Sequence, residues 1–352
     1  MIVSRTPFRV SFVGGGSDLR SFYVRSPGRV LSTTINRYMY LLVHPFFDRK
    51  IQVKYSKTEL VDRIDDIQHP IVRAALQQTP LHGIDINSVS DIPAGTGLGT
   101  SSSFTVGLLH AIEAYCGRRE SRESLARRAC HIEMDILQDP IGKQDAYAAA
   151  FGGFNLITFL PDESVEVEPL DLSDRVRERL QRHLLVFYVG NPRSAKTILG
   201  DQQNNVSGDQ RKYKCLVRMT VLANLLAESL ISEKIEEMGP ILDENWHLKK
   251  ELSRYISDSQ IDKWYDLARK NGATGGKLLG AGGGGFLLLF CNPERQEPVR
   301  RALASLREID FGFETMGTQV IFSEVPGGLR FGAIADNGWP VTQPEVVWNN
   351  RS

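Results

Sequence analysis

Between residues 93 and 103 the chain reads PAGTGLGTSSS. Gly95, Gly97 and Gly99 alternate, and four hydroxyl residues follow from Thr100 to Ser103. The apolar period then changes: Ile84, Ile86 and the residues to Ile92 read as a strand, whereas Phe104, Leu108, Leu109, Ile112 and Tyr115 share one helical face. Glycines let a backbone adopt positive φ and come close to a ligand. A helix start offers unpaired N–H groups and the positive end of the helix dipole. The segment therefore predicts an anion site suited to a di- or triphosphate, with hydroxyls that can reach a phosphate oxygen or Mg²⁺. It is neither a Walker loop, since no Gly-Lys-Ser/Thr occurs anywhere in the chain, nor a GxGxxG turn. The plainer alternative is a turn with serine caps.

Two more glycine clusters flank this one. RTPFRVSFVGGGSD puts Asp18 just past a glycine turn, where a carboxylate can accept hydrogen bonds from sugar hydroxyls and Arg9 can face phosphate. The alternative is a hairpin turn capped by Asp18. KLLGAGGGGF, from Lys277, reads either as a tight packing corner or as a close backbone approach to a ligand or to the 93–103 loop. Lys277 itself reads as a solvated lysine.

The first sixty residues predict an antiparallel sheet. Phe8, Val10 and Phe12 alternate with Arg9, Ser11 and Val13; Val30–Val43 and Ile51–Tyr55 follow. A second helix spans 121–137, with Leu125, Ala129, Ile132 and Ile136 in register, and Asp139-Pro140 stops it. Residues 161–184 read as a connector and a surface helix, and LLVFYVG from 184 opens a new strand. The domain boundary is placed there, giving 1–183 and 184–352. DQQNNVSGDQRK, 201–212, reads as a polar mobile stretch. Helices are expected near 213–233, 238–256, 259–270 and 297–308, and a last strand at 318–324.

Several classes are excluded. The chain has 42 Lys+Arg against 42 Asp+Glu, so it lacks the basic surplus of a nonspecific nucleic-acid binder. No apolar run is long enough for a membrane span, and arginines interrupt the N-terminal apolar stretch, unlike a signal peptide. Cys116, Cys130, Cys215 and Cys291 are scattered, which fits free thiols in a reducing cytoplasm. The histidines show no zinc-ligand spacing.

Taken in order, the three clusters resemble the motifs of the GHMP kinase superfamily over roughly residues 5–290. PAGTGLGTSSS is similar to its phosphate loop PxxxGLGSSS, with Thr100 where Ser is usual. RTPFRVSFVGGGSD, FYVRSPGRVLSTTINRYMY and IGKQDAYAAAFGGFN look most like the D-glycero-D-manno-heptose 7-phosphate kinases, which are similar to fucokinases. The resemblance implies an α+β fold, with a ribosomal-protein-S5-like N-terminal domain and a ferredoxin-like C-terminal domain around a cleft. It implies ATP-dependent transfer to the anomeric hydroxyl of the heptose phosphate, giving the 1,7-bisphosphate used in GDP-heptose and surface polysaccharide synthesis. Another sugar kinase of the family, or a nucleotide- and sugar-binding sensor without catalysis, is the alternative.

The same resemblance implies site roles. ATP would lie on Pro93, Gly95, Gly97, Leu98, Gly99, Thr100, Ser101, Ser102 and Ser103. Mg²⁺ would be held by Ser101 and Glu133. Asp145, in EMDILQDPIGKQD, would serve the acceptor hydroxyl, with Lys143 or Arg9 stabilising the transferred group. Gly15, Gly16, Ser17, Asp18, Arg193, Gly282 and Gly283 would bind acceptor. Arg20, Arg25, Arg193 and Lys196 are candidates for the acceptor's own phosphate. Read without the motifs, Glu133 is a solvated carboxylate and Asp145 a helix cap. No nucleic-acid or membrane partner is expected, and a homodimer is left open.

Overall fold

The structure, a computed structural model, describes residues 1–190 and 195–324. Strand β1 (Ile2–Val13) pairs antiparallel with β2 (Gly28–Pro45), and the short helix α1 (Arg20–Tyr23) lies in the connection. β3 (Ile51–Lys54) and β4 (Thr58–Val61) form a hairpin, then come α2 (Pro70–Gln78) and β5 (Ile84–Ser90). β5 pairs antiparallel with β2 but parallel with β3. The pairs within the first sixty residues are antiparallel, as expected for them, and the parallel pair arises only with β5, because α2 supplies the crossover that parallel strands need.

Helices α3 (Thr100–Tyr115), α4 (Arg122–Cys130) and α5 (Gln144–Phe151) follow. The hydroxyl run is the first turn of α3 rather than a preceding loop, and α3 is buried nearly all round instead of on one stripe. α4 does not continue as a regular helix to 137. Its last stretch, His131–Ile136, is a π-helical turn, and the wider turn leaves Ile136 exposed while Glu133 is buried. β6 (Asn155–Phe159) pairs with the first part of β2 and with β7 (Val165–Pro169), a strand in the segment expected to be connector. Helix α6 (Asp174–His183) then leads into β8 (Leu184–Gly190).

The polar stretch after 200 is helical. It is shared between α7 (Ala195–Gly208) and α8 (Gln210–Ile231), with Asp209 capping α8 through Arg211 N and Lys212 N. The side-chain acceptor at Asp209 and buried Gln202 and Val206 explain why a loop-like composition folds into helix. Helices α9 (Met238–Leu252) and α10 (Ser259–Asn271) precede β9 (Ala273–Leu278) and β10 (Gly285–Cys291). Helix α11 (Gln296–Ala302) is followed by β11 (Arg307–Glu308), β12 (Phe313–Glu314) and β13 (Gln319–Ser323).

Among the described residues the strands form two sheets. The larger runs β13-β1-β2-β5-β3-β4, with β6, β7 and β12 attached through β2; the smaller runs β11-β8-β10-β9. From Phe8 to Val13, β1 is buried on both faces. Phe8, Val10 and Phe12 enter the apolar core beneath α3, whereas Arg9 and Ser11 face a cleft closed by α9 and β9. The period-two pattern therefore separates core from cleft, not core from solvent.

Candidate active site

One cleft collects residues from all three glycine clusters. Its walls include Arg9 and Ser11 on β1, Asp18 after the 14–17 turn, Gly95, Gly97 and Gly99 with the first residues of α3, Gln144 and Asp145 on α5, Lys249 on α9, Lys277 on β9, and Gly280, Ala281, Gly282 and Gly284 of the third cluster.

The 93–103 loop turns through positive φ at Gly95, Gly97 and Gly99 and ends with Gly99 as the left-handed N-cap of α3. Of its residues, Gly95, Gly97, Gly99, Thr100, Ser101 and Ser102 line the cleft. Pro93, Leu98 and Ser103 do not, which corrects the expectation for those three. Leu98 is core, and its carbonyl accepts from Arg9 N; Ser103 Oγ donates to Pro7 O; the carbonyl of Pro93 accepts from Thr96 Oγ1. The third cluster packs against this loop. A Cβ on Gly97 would lie 2.5 Å from Leu279 O, and one on Gly285 would lie 2.2 Å from Thr96 O.

Behind the start of α3, the π-turn delivers Glu133. Its carboxylate is 1% exposed and accepts from Ser101 Oγ at 2.7 Å and Ser102 Oγ at 2.8 Å. Burial pushes Glu133 up to about 7, against the opposing effect of those two serines. A buried carboxylate joined only to hydroxyls, beside an anion-binding helix start, is an oxygen donor set that fits a hard cation such as Mg²⁺. No cluster of three or more His, Cys, Asp or Glu stands ready to hold a metal among the described residues, so most of the coordination would come from phosphate and water.

Asp145 lies in the first turn of α5 and caps nothing. Arg9, 4% exposed, grips it through two parallel bonds: Nε to Oδ1 at 2.7 Å and Nη2 to Oδ2 at 2.8 Å. The third arm of the guanidinium, Nη1, donates to Gly97 O at 2.6 Å. One side chain therefore ties the 93–103 glycine loop to the α5 carboxylate, a bidentate geometry that lysine could not reproduce. Gln144 completes the setting: Nε2 donates to Asp145 Oδ1, and Oε1 accepts from Ser11 Oγ.

Asp18 lines the same cleft and is buried. Its oxygens accept from Gly16 N at 2.9 Å and Gln144 N at 3.3 Å, and burial, reinforced by the charge of Asp145, raises its pKa. Gly142 is glycine because a Cβ there would fall 2.0 Å from Asp18 Oδ2. Gly15, Gly16 and Gly282 also line the cleft, but Ser17 and Gly283 do not. Ser17 Oγ is spent inside the turn on Gly14 O and Arg29, and Gly283 N donates to Ile256 O.

Lys143 is a further correction. Its ammonium leaves α5 on the far side, donates to the Glu163 carbonyl and carboxylate at 2.7 Å each, and sits 4.7 Å over the Tyr23 ring. It opens into a separate pocket with Arg20 and Arg128. Arg193 lies outside the described residues. Of the other cations weighed for a phosphate, Arg20 pairs with Glu163, Arg25 stacks on Tyr213, and Lys196 pairs with Asp139.

Sequence reasoning missed Gln144 and Lys249 and misjudged Lys277. Lys277 is buried rather than solvated, and its Nζ donates to Ser11 O. Lys277 could have been found from its place in an otherwise apolar strand. Lys249 carries no such signal, since Lys-Lys at 249–250 reads as an ordinary helix surface.

The family model for the GHMP kinases N terminal domain matches residues 67–153, and that for the GHMP kinases C terminal matches residues 226–308. The chain is 29% identical over 335 residues to the D-glycero-alpha-D-manno-heptose 7-phosphate kinase of Campylobacter jejuni, covering 90% of this chain and 98% of that one. It is 28% identical to a bifunctional fucokinase/GDP-fucose pyrophosphorylase of Arabidopsis thaliana, covering 86% of this chain and 31% of that longer protein. Among solved structures, a D-glycero-D-manno-heptose 1-phosphate kinase from Bacteriodes thetaiotaomicron superposes with a TM-score of 0.75 at 26% identity, covering 92% of this chain and all of the other.

Proposed function

Carrying both the N-terminal and the C-terminal domain of the GHMP kinases, the chain belongs to that family as an ATP-dependent phosphotransferase, and we propose that its acceptor is D-glycero-D-manno-heptose 7-phosphate. The product would be the 1,7-bisphosphate, a step toward GDP-heptose and surface polysaccharide. The observation that carries this reading is the Arg9–Asp145 fork at the mouth of the glycine loop. It sets a fixed carboxylate beside the start of α3, where a terminal phosphoryl group would lie.

In this reading the triphosphate rests on Gly95, Gly97, Gly99 and the first N–H groups of α3. Asp145 accepts a hydrogen bond from the anomeric hydroxyl and holds that oxygen in line. The acceptor O–P bond forms as the bond from phosphorus to the ADP oxygen breaks, and the hydroxyl proton passes toward Asp145. In a loose transition state, alignment and charge neutralisation contribute more than early proton removal. Arg9 keeps the carboxylate in place, and Gln144 fixes its rotation through Ser11. Glu133 and Ser101 would hold Mg²⁺, which neutralises phosphate charge when bound.

ADP release measured with heptose 7-phosphate, free heptose, L-fucose and galactose tests the proposal. Turnover with the heptose phosphate well above the others is expected. The similarity to the plant fucokinase favours L-fucose as the second reading. Preferential turnover of L-fucose, with none on the heptose phosphate, would replace the first.

A further inference from the structure

We propose that Lys249 and Lys277 form the seat for a phosphate monoester carried by the acceptor, on the part of the cleft wall built by α9 and β9. The proposal rests on the kinase reading above and adds how a phosphorylated sugar would be told from a free one.

Both side chains are buried, at 4% and 3% exposed, and both line the cleft. Among the described residues neither forms an ion pair, and Asp18 attracts both without a direct bond to either. Lys249 Nζ donates to Gly15 O at 3.1 Å and Gln202 Oε1 at 3.0 Å, and Lys277 Nζ donates to Ser11 O at 2.8 Å. An ammonium has three donors, so among the described residues one N–H remains on Lys249 and two on Lys277. A third orphan lies beside them. Gln202 is fully buried, its Nε2 has no hydrogen-bond partner among the described residues, and it stands against Gly16, which lines the cleft.

The charge balance points the same way. Arg9, Lys249 and Lys277 face Asp18 and Asp145. Arg9 is consumed by Asp145, and Asp18 is occupied by two backbone N–H groups. Three cations thus face two carboxylates, and although Asp18 attracts both ammonium groups, each hydrogen-bonds only to neutral oxygens among the described residues, so one buried positive charge stays in excess until an anion arrives. Burial depresses both, Lys249 to about 8 and Lys277 well below the ordinary lysine range, and mutual repulsion adds to the effect on Lys277. A dianion would reverse that.

The position argues for the acceptor rather than ATP. Lys249 and Lys277 hold Gly15 and Ser11, on the turn and strand that lead to Asp18. The 95–99 loop instead rests on Leu279, Gly280 and Gly285. The other cations weighed from sequence are turned elsewhere or lie outside the described residues.

The test uses the full chain saturated with a non-hydrolysable ATP analogue and titrated with inorganic phosphate by calorimetry. Saturable binding is expected, weakened about tenfold or more in Lys249→Met and Lys277→Met, the scale of a lost charge-assisted hydrogen bond. In turnover, both variants should raise KM for heptose 7-phosphate by a similar factor and leave KM for ATP unchanged. Where Lys277→Met fails a melting check, Lys249→Met and Lys249→Gln carry the comparison. Absence of phosphate binding to the nucleotide-saturated wild type overturns the proposal, as does a variant that weakens ATP and spares the acceptor. If heptose 7-phosphate proves not to be a substrate, the substrate reading fails separately, and the phosphate titration still decides whether the seat exists.

Discussion

Replacing Glu133 by Gln should make the metal-free protein more stable above neutral pH while removing its activity. The carboxylate is 1% exposed and is pushed by burial from 4.5 up to about 7. In the unfolded chain it loses its proton near 4.5; in the folded chain it keeps it until about 7. Between those values the folded state binds more protons, so stability falls as pH rises through the window and stays reduced above it. The displacement from 4.5 to about 7 corresponds to roughly 3 kcal/mol of penalty at pH 8. Gln has nearly the same shape and carries no charge at any pH. The two proteins should therefore melt together near pH 5, and the variant should melt higher by about 5 °C at pH 8. Added Mg²⁺ and ATP should stabilise the wild type more than the variant, and Mg²⁺-dependent turnover should fall about a hundredfold or more. Melting curves from pH 5 to 9, with and without Mg²⁺ and ATP, make the measurement. A variant less stable than wild type at pH 8, or a difference independent of pH, would refute the reasoning.

Asp145→Ala should lower kcat about a hundredfold or more with acceptor KM little changed; near wild-type kcat in both the Ala and Asn variants would remove Asp145 from the reaction. Gln144→Leu should reduce kcat by about tenfold without altering either KM, since it frees the rotation of Asp145 while sparing the Arg9 fork; a change in KM alone would contradict this. Lys249, lowered from 10.5 to about 8 by burial, against the attraction of Asp18 and with Arg9 adding to the fall, should lose its charge as pH passes 8. Acceptor KM should then rise above pH 8 while stability increases, because the unfolded chain keeps that proton up to 10.5; an acceptor KM flat from pH 7 to 9.5 would count against it. Gly97→Ala combines φ of +85° with a Cβ 2.5 Å from Leu279 O and should cost about 1–3 kcal/mol of stability, read by melting temperature; an unchanged melting temperature would mean the seam between the two glycine clusters is loose.

Much of the cleft was legible because glycine and hydroxyl patterns mark backbone geometry. The 93–103 loop, the 14–18 turn and the Asp18, Glu133 and Asp145 carboxylates all stand on one cleft or directly behind it. What stayed hidden depends on which side of the backbone a side chain leaves. Lys143, Gln144 and Asp145 are consecutive, yet the first turns to Glu163 and the other two face the cleft. The π-turn at His131–Ile136 was equally invisible, since its apolar spacing matched a regular helix until the extra residue per turn exposed Ile136. The helicity of 195–212 was masked because its polar residues are held by tertiary contacts: Gln202 by Lys249, and Asn205 by Leu252 O.

The glycines do more for assembly than for ligand approach. A Cβ on Gly280 would lie 2.5 Å from the Gly97 Cα, one on Gly99 would lie 3.3 Å from Asp145 Oδ2, and one on Gly142 would strike Asp18. At each point two chain segments meet that no side chain could separate without moving a carboxylate or the phosphate loop. The second and third clusters thus interlock at the cleft, and close glycine approaches fix the places of Asp145 and Asp18 before any ligand arrives. Such preorganisation is what phosphoryl transfer needs, because its barrier responds to the placement of charge more than to the strength of any one base. It also accounts for two buried lysines that share the single opposing charge of Asp18. A cleft whose walls cannot relax around Lys249 and Lys277 leaves their neutralisation to an anion brought in by the substrate.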